Sequence, residues 1–309
     1  MKRVHLDTDL GSDTDDLCAL ALLLALPDTR VVGVTTSSDL EGMRVGMVDR
    51  ALDLAERRDV PVASGAEGSL AGFQTPVGFP DPPVYWSTPI VPRPTPPGQA
   101  LDLLAASIAS GATVVVIGPY TNLALLEVAR PGTLARANLV LMGGYVAPPR
   151  PGLPQWGPEM DYNVQQDTAA ALLLYQRADP LIVPLGVTLE VALRGRALPR
   201  LRAAGSLPAL LAHQAELHGR DNTMGNLHRQ YPVLPDDLLN FQYDALACAA
   251  AVGWPGLTVS TLPLLPTMAG GVLSLPTHPT GKPTRVVTAV DGERFAHYWL
   301  DAVAPSPIG

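Results

Sequence analysis

The chain has 309 residues, 47% of them hydrophobic and only 16% charged, and carries a formal charge of −8 from 21 basic and 29 acidic side chains. That composition supplies a large core and excludes a disordered acidic tail or a coiled coil. The acidic balance argues against a nucleic-acid partner, which needs a basic face.

The predicted elements alternate along the chain. Val4–Asp7 reads as a strand and Asp15–Leu26 as a helix, apolar nearly all round and so buried. Arg30–Thr36 is a second strand, followed by a helix over about 41–58 and a third strand at Val60–Ser64. The stretch 76–97 then holds nine prolines together with Phe79, Tyr85 and Trp86. Helix Ala100–Ala109, strand Thr113–Gly118, helix Asn122–Ala129 and strand Leu139–Gly144 follow. A second Pro- and Gly-rich stretch, 147–158, contains Trp156; helix Thr168–Ala178 and strand Leu181–Gly186 come next. An irregular segment over about 219–240 carries His228, Arg229 and Tyr231.

Because proline lacks a backbone donor, neither proline-rich stretch is a central strand. Both read as surface loops, either lids over a site or loops whose aromatics only pin them down. Continuous apolar strands separated by helices imply an α/β protein: a Rossmann-like open, mostly parallel sheet covered by helices on both faces. The expectation is a single domain over residues 1–309. Cys18 and Cys248 sit in Ala- and Leu-rich runs and read as core residues rather than a disulfide framework. The N-terminus meets Asp7 before a signal-peptide core forms, and the apolar run Leu17–Leu26 is shorter than the roughly 20 residues that span a bilayer. A cytoplasmic protein without membrane contact is therefore expected.

The acidity is concentrated. Asp7, Asp9, Asp13, Asp15 and Asp16 fall within ten residues that contain no Lys or Arg. A strand ending in D-x-D places Asp7 and Asp9 on one side of the backbone, Gly11 permits a tight turn, and Asp15 and Asp16 open the next helix. Helix capping accounts for one or two of these carboxylates but not for the pair at the strand end. Repelling carboxylates at the carboxyl end of a parallel strand suit a hard divalent cation or a polyol. An EF-hand is excluded by register, since glycine stands fifth from Asp7 rather than sixth and Cys18 takes the twelfth position. The DTD triplet is also shared with haloacid dehalogenase-like phosphatases, but Leu10 and Gly11 follow it here and lysine occurs only near the two ends of the chain.

The segment DTDLGSDTDDLCALALLLA resembles the N-terminal signature of the inosine-uridine preferring nucleoside hydrolase family. VVGVTT, GPYTNLALL, LVLMGG, DYNVQQDTAAA and YDALACAAAV resemble further motifs of that family, in order, over about residues 3–255. The resemblance implies Ca²⁺-dependent hydrolysis of the N-glycosidic bond of ribonucleosides, in a homodimer or homotetramer. It implies that Asp9 binds the ion and acts as general base on a metal-bound water. Asp16, the Ile117 carbonyl and Asp244 would complete the ligands, Asp15 and Asn163 would hold ribose hydroxyls, and Asp7 would buttress the loop.

Three positions depart from the family pattern. Asp161 stands where the family has a ribose-binding Glu, Ser38 with Asp39 replaces an Asn, and Tyr243 replaces a His that can act as leaving-group acid. A phenol has a reference pKa near 10 against about 6.5 for imidazole. His228, Arg229 and Tyr231 lie where the family places base-recognition residues, so His228 and Tyr231 are candidates beside Tyr243 for assisting the leaving base. Trp86 and Trp156 either stack on a base or anchor their loops, and His5 reads as packed. His213 and His218, five apart on a helix, do not share a face and are not a metal pair. A Ca²⁺- and ribose-binding protein without catalysis is the alternative reading of the same residues.

Overall fold

The β-branched runs form strands and the Ala- and Leu-rich runs between them form helices. In the computed structural model, which describes residues 1–11, 13–70 and 82–306, the order is β1 (Lys2–Thr8), α1 (Asp15–Ala25), β2 (Thr29–Thr36), α2 (Met43–Leu54), β3 (Val62–Ser64), α3 (Pro82–Trp86), α4 (Gln99–Ala109) and β4 (Thr113–Val116). Then come α5 (Thr121–Ala129), β5 (Asn138–Met142), α6 (Tyr162–Gln166), α7 (Thr168–Arg177), β6 (Leu181–Val183), α8 (Leu185–Thr188), β7 (Ala192–Arg194) and α9 (Leu198–Ala203). The chain continues through α10 (Ser206–Asp221), α11 (Gly225–Gln230), β8 (Leu238–Phe241), α12 (Tyr243–Ala251), β9 (Leu257–Leu264), β10 (Thr267–Ala269), β11 (Val272–Ser274), β12 (Lys282–Val290) and α13 (Gly292–Val303).

An eight-stranded sheet has the order β3-β2-β1-β4-β5-β6-β12-β9. Its strands pair in parallel except β9, which runs antiparallel to β12 at the edge. Successive strand residues feed two separate cores, as a period of two demands. Val115, Val140 and Val183 join the core that contains α1 and α12; Val114, Leu141 and Ile182 join the one that contains α5 and α7. Helix α1 is buried from Asp15 to Leu23 and packs on α12, so its apolar sequence is explained by contact on several sides. Both cysteines are buried thiols, and no helix among the described residues is long and apolar enough to cross a membrane.

The mostly parallel, two-sided α/β architecture agrees with the sequence expectation; local differences have physical causes. The second helix begins at Met43 rather than Glu41, because Glu41 and Gly42 adopt left-handed φ of 55° and 76°. The strand expected to reach Gly186 stops at Val183, where Pro184 has no donor and α8 begins. The segment expected to be irregular, 219–240, contains α11 and the start of β8; α11 has six residues, none of them buried, and so shows no apolar period. In the first proline-rich stretch, α3 buries Tyr85 and Trp86, whereas Phe79 lies outside the described residues.

Leu141 is fully buried between β4 and β6 in the second core. Leu141→Ala should destabilise the protein by about 2–5 kcal/mol through lost transfer energy and a residual cavity. Urea unfolding followed by circular dichroism checks this, and a loss below about 1 kcal/mol would contradict the packing.

Candidate active site

The sheet order places β1 between β2 and β4, so the chain leaves β1 toward one edge and returns on its other side. Such a switch point opens a crevice beyond the carboxyl ends of the strands. A cavity of about 560 Å³ occupies this position, lined by Asp9, Asp13, Asp15, Asp16, Asp161 and Asp244. Arg44 and His218 are the basic side chains among its described lining residues.

Two helix starts bring the acids together. Asp15 and Asp16 form the first turn of α1, and Asp244 lies in the first turn of α12, which packs against α1. Oxygens of Asp15, Asp16 and Asp244 lie within 4.8 Å of one another, and all three residues are buried. The positive ends of the two helix dipoles offset part of the charge. Thr8 donates its hydroxyl to Asp16 and accepts from the backbone N–H of Leu10 at 3.1 Å, fixing the turn after β1. Burial, reinforced by neighbouring carboxylates, pushes Asp15, Asp16 and Asp244 well above the ordinary carboxylate range. Asp9 is also raised by burial, but the Arg44 guanidinium beside it opposes the shift. Converging buried carboxylates, all acceptors, are the donor set of a hard divalent cation.

Asp7 does not share this cavity. The strand ends at Thr8, so the two-residue period does not carry Asp7 and Asp9 into the same space. Asp7 Oδ2 instead accepts from Thr35 Oγ1 of β2 at 2.5 Å and from Asn122 Nδ2 of α5 at 2.8 Å, while Oδ1 is buried without a described partner. Burial pushes its carboxyl up to about 7. The Ile117 N–H donates to the Asp7 carbonyl at 2.8 Å, and the Ile117 carbonyl accepts from Asn163 Nδ2 at 2.9 Å. Gly118 follows: a Cβ there would lie 2.8 Å from Asp9 Oδ1 and 2.7 Å from Ser37 Oγ.

Asp161 lines the cavity, yet its oxygens accept from Gly144 N at 2.5 Å and Val164 N at 3.3 Å, capping α6. Burial raises it to about 6 against those two bonds. Gly143, with φ of 125°, leaves no space for a Cβ, which would lie 2.7 Å from the Tyr120 hydroxyl and 3.0 Å from Asp161 Oδ1. Ser38 is half-buried at φ of 50° and does not line the cavity. Its carbonyl accepts from Arg44 Nε at 2.9 Å, and the neighbouring Asp39 accepts from the Arg44 N–H at 2.7 Å. This pair delivers Arg44 to the acidic cluster, a role that no motif announced.

Tyr243 lines the cavity with its ring 5.6 Å from Phe241; burial and then Asp13, Asp15 and Asp244 push its phenol well above the usual range. Trp156 lines the cavity as well, edge-on to Phe241 at 5.9 Å, whereas Trp86 is buried in the core. Neither His228 nor Tyr231 is among the described lining residues. His228 Nδ1 donates to the Leu234 carbonyl at 2.7 Å, and Tyr231 packs at the edge of a small cluster around Phe241. From this region His218, Asn222, Met224 and Leu227 reach the cavity instead. His5 is buried between Ser107 and Thr35, at 2.8 and 3.0 Å, and burial lowers its pKa to about 3, as expected of a packed residue.

A family model described as inosine-uridine preferring nucleoside hydrolase matches residues 4–297. The chain belongs to this family. Pyrimidine-specific ribonucleoside hydrolase RihA from Salmonella typhimurium is 31% identical over 213 residues, and the Escherichia coli O7:K1 protein of the same name is 32% identical over 213 residues. Each match spans 66% of this chain and 66% of the relative, just under two thirds of its length. The fold is also that of a plant nucleoside hydrolase, PpNRh1 (TM-score 0.78, 23% identity, 99% of both chains), and of a purine-preferring ribonucleoside hydrolase from Gardnerella vaginalis (TM-score 0.79, 21% identity, 98% of both chains).

Raised carboxylates are protonated more readily in the folded than in the unfolded chain. Their stabilising contribution is complete below the unfolded pKa, near 4, and is lost as pH rises through the folded values, about 7 for Asp7 and about 6 for Asp161. In chelator the melting temperature should fall between about pH 4.5 and pH 7.5. Added divalent cation should restore it at the upper end. A chelated protein whose melting temperature climbs over that window would contradict the electrostatics described.

Proposed function

We propose that the protein hydrolyses the N-glycosidic bond of ribonucleosides, releasing ribose and free base, with Ca²⁺ as its metal. One observation carries the reading: Asp9, Asp15, Asp16 and Asp244 line a single cavity at the switch point of the sheet, where a cation and a ribose diol can be held together. Asp16 and Asp244 of the close acidic group, with Asp9 and the Ile117 carbonyl from the same cavity wall, would hold the ion, leaving Asp15 for the sugar; the ion's chemistry is to orient a water and the diol and to lower that water's pKa. Asp9 takes the proton of the attacking water. Asp15 and the Asn163 side-chain oxygen accept from the ribose hydroxyls, the Asn163 amide being held by the Ile117 and Met142 carbonyls. The oxocarbenium-like charge that develops at C1′ is stabilised by the surrounding carboxylates, already fixed before the reaction begins.

Within this reading Asp161 contributes differently from a free carboxylate. Both of its oxygens are engaged by backbone N–H groups, so it orients the turn that carries Asn163. Ser38 acts through Arg44 rather than on the sugar.

A panel of purine and pyrimidine ribonucleosides, assayed for reducing sugar, tests the reading. The wild type should release ribose from at least one of them in Ca²⁺ and lose that activity in chelator. Asp9→Ala should lower kcat by roughly 10²–10⁴-fold, the range for a lost general base. Binding of Ca²⁺ and ribose without release from any nucleoside would instead establish a binding protein on this scaffold.

A further inference from the structure

We propose that His218 protonates the departing base. The proposal rests on the hydrolase reading above and adds a catalytic residue on α10, away from the position where the family motif carries a histidine. Of the imidazoles in the described residues, His218 is the one that lines the cavity. His5 is sealed between two hydroxyls, and His213 and His228 donate to the carbonyls of Val84 and Leu234.

His218 and Asn222 stand four residues apart, on one face of the last turn of α10 and just beyond it, and both face the cavity. His218 Nδ1 lies 3.2 Å from Asn222 Nδ2 and 3.6 Å from Asp13 Oδ1. Asp13 Oδ1 itself accepts from Asn240 Nδ2 at 2.5 Å. In the neutral ring Nδ1 accepts from the Asn222 amide, and in the imidazolium Nδ1–H faces the Asp13 carboxylate that the Asn240 amide orients, so either state is supported from this side of the ring. Nε2 makes no hydrogen bond to any described residue.

The chemistry of the walls indicates which part of a nucleoside lies here. Trp156, Met224 and Leu227 line this part of the cavity and pack around Phe241, beside Asn240. An apolar slot with a few convergent polar groups suits a flat heteroaromatic ring, whereas the carboxylates suit the sugar. As the C1′–N bond breaks, its electron pair passes to the base nitrogen and the base takes the Nε2 proton of the imidazolium. The water oxygen bonds to C1′ and gives its proton to Asp9. Proton exchange with solvent then returns both groups to their starting states, and no other reactant is needed.

The test compares leaving groups. His218→Ala and His218→Gln are assayed on inosine, on uridine and on 4-nitrophenyl β-D-ribofuranoside, whose phenolate departs without a proton. Both variants should lose roughly 10²–10⁴-fold in kcat/KM on whichever nucleosides the wild type cleaves. Both should keep the nitrophenyl activity within about fivefold, which also shows that they fold and retain the sugar site. Equal losses on nucleosides and nitrophenyl riboside, or no loss on either nucleoside, would overturn the role of His218 alone. A wild type that cleaves none of the three substrates would overturn the hydrolase reading and this proposal together.

Discussion

The mutual repulsion of carboxylates held out of water is the constraint around which this molecule is built. Asp15, Asp16 and Asp244 bring oxygens within 4.8 Å of one another in buried positions. Such an arrangement is unfavourable unless something compensates for it. The protein itself contributes two helix N-termini, the Thr8 hydroxyl and the nearby Arg44 guanidinium. These partial remedies position the acids without neutralising them, and they leave a concentrated negative potential at this end of the sheet.

Holding charges in that condition demands a rigid frame, and the apolar scaffold supplies one. Helix α1 is enclosed along most of its length, so its N-terminus cannot retreat from α12. The two cores on opposite faces of the sheet fix β1 and β4, whose ends supply Asp9 and Ile117. Asp7 joins three elements below the cavity through Thr35, Asn122 and the N–H of Ile117. A low charge fraction over the whole chain and a dense knot of charge at one end of the sheet are thus two sides of one arrangement.

Much of this was legible in the sequence because it is written locally. Five aspartates in one strand-to-helix turn, without a basic residue among them, announce a concentration of acid, and four of them line the cavity. The continuous apolar strands announced a sheet covered on both faces. What escaped was assembled by tertiary structure. Arg44 looks like an ordinary cationic position of a surface helix, and only the left-handed turn through Ser38, Glu41 and Gly42 aims it at Asp9. His218, Asp13 and Asn240 come from three distant parts of the chain and carry no shared motif. His228 and Tyr231 are candidates because they lie where the resembled family places base-recognition residues, but the short helix there directs Leu227 to the cavity and leaves His228 bonded to Leu234. Asp161 reads from its type as a free cavity carboxylate, yet its oxygens accept from the backbone N–H groups of Gly144 and Val164.

Gly118 and Gly143 give the site a property unrelated to its functional groups. At each, a single added carbon would meet Asp9, Ser37, the Tyr120 hydroxyl or Asp161 at 3.0 Å or less. The backbone beside the cavity therefore has no room for one more atom at these points, and the shape here is recorded in what the residues lack. Mutational tolerance around the cavity should follow free space rather than chemistry, so that two glycines without a functional group are as hard to replace as the acids they adjoin.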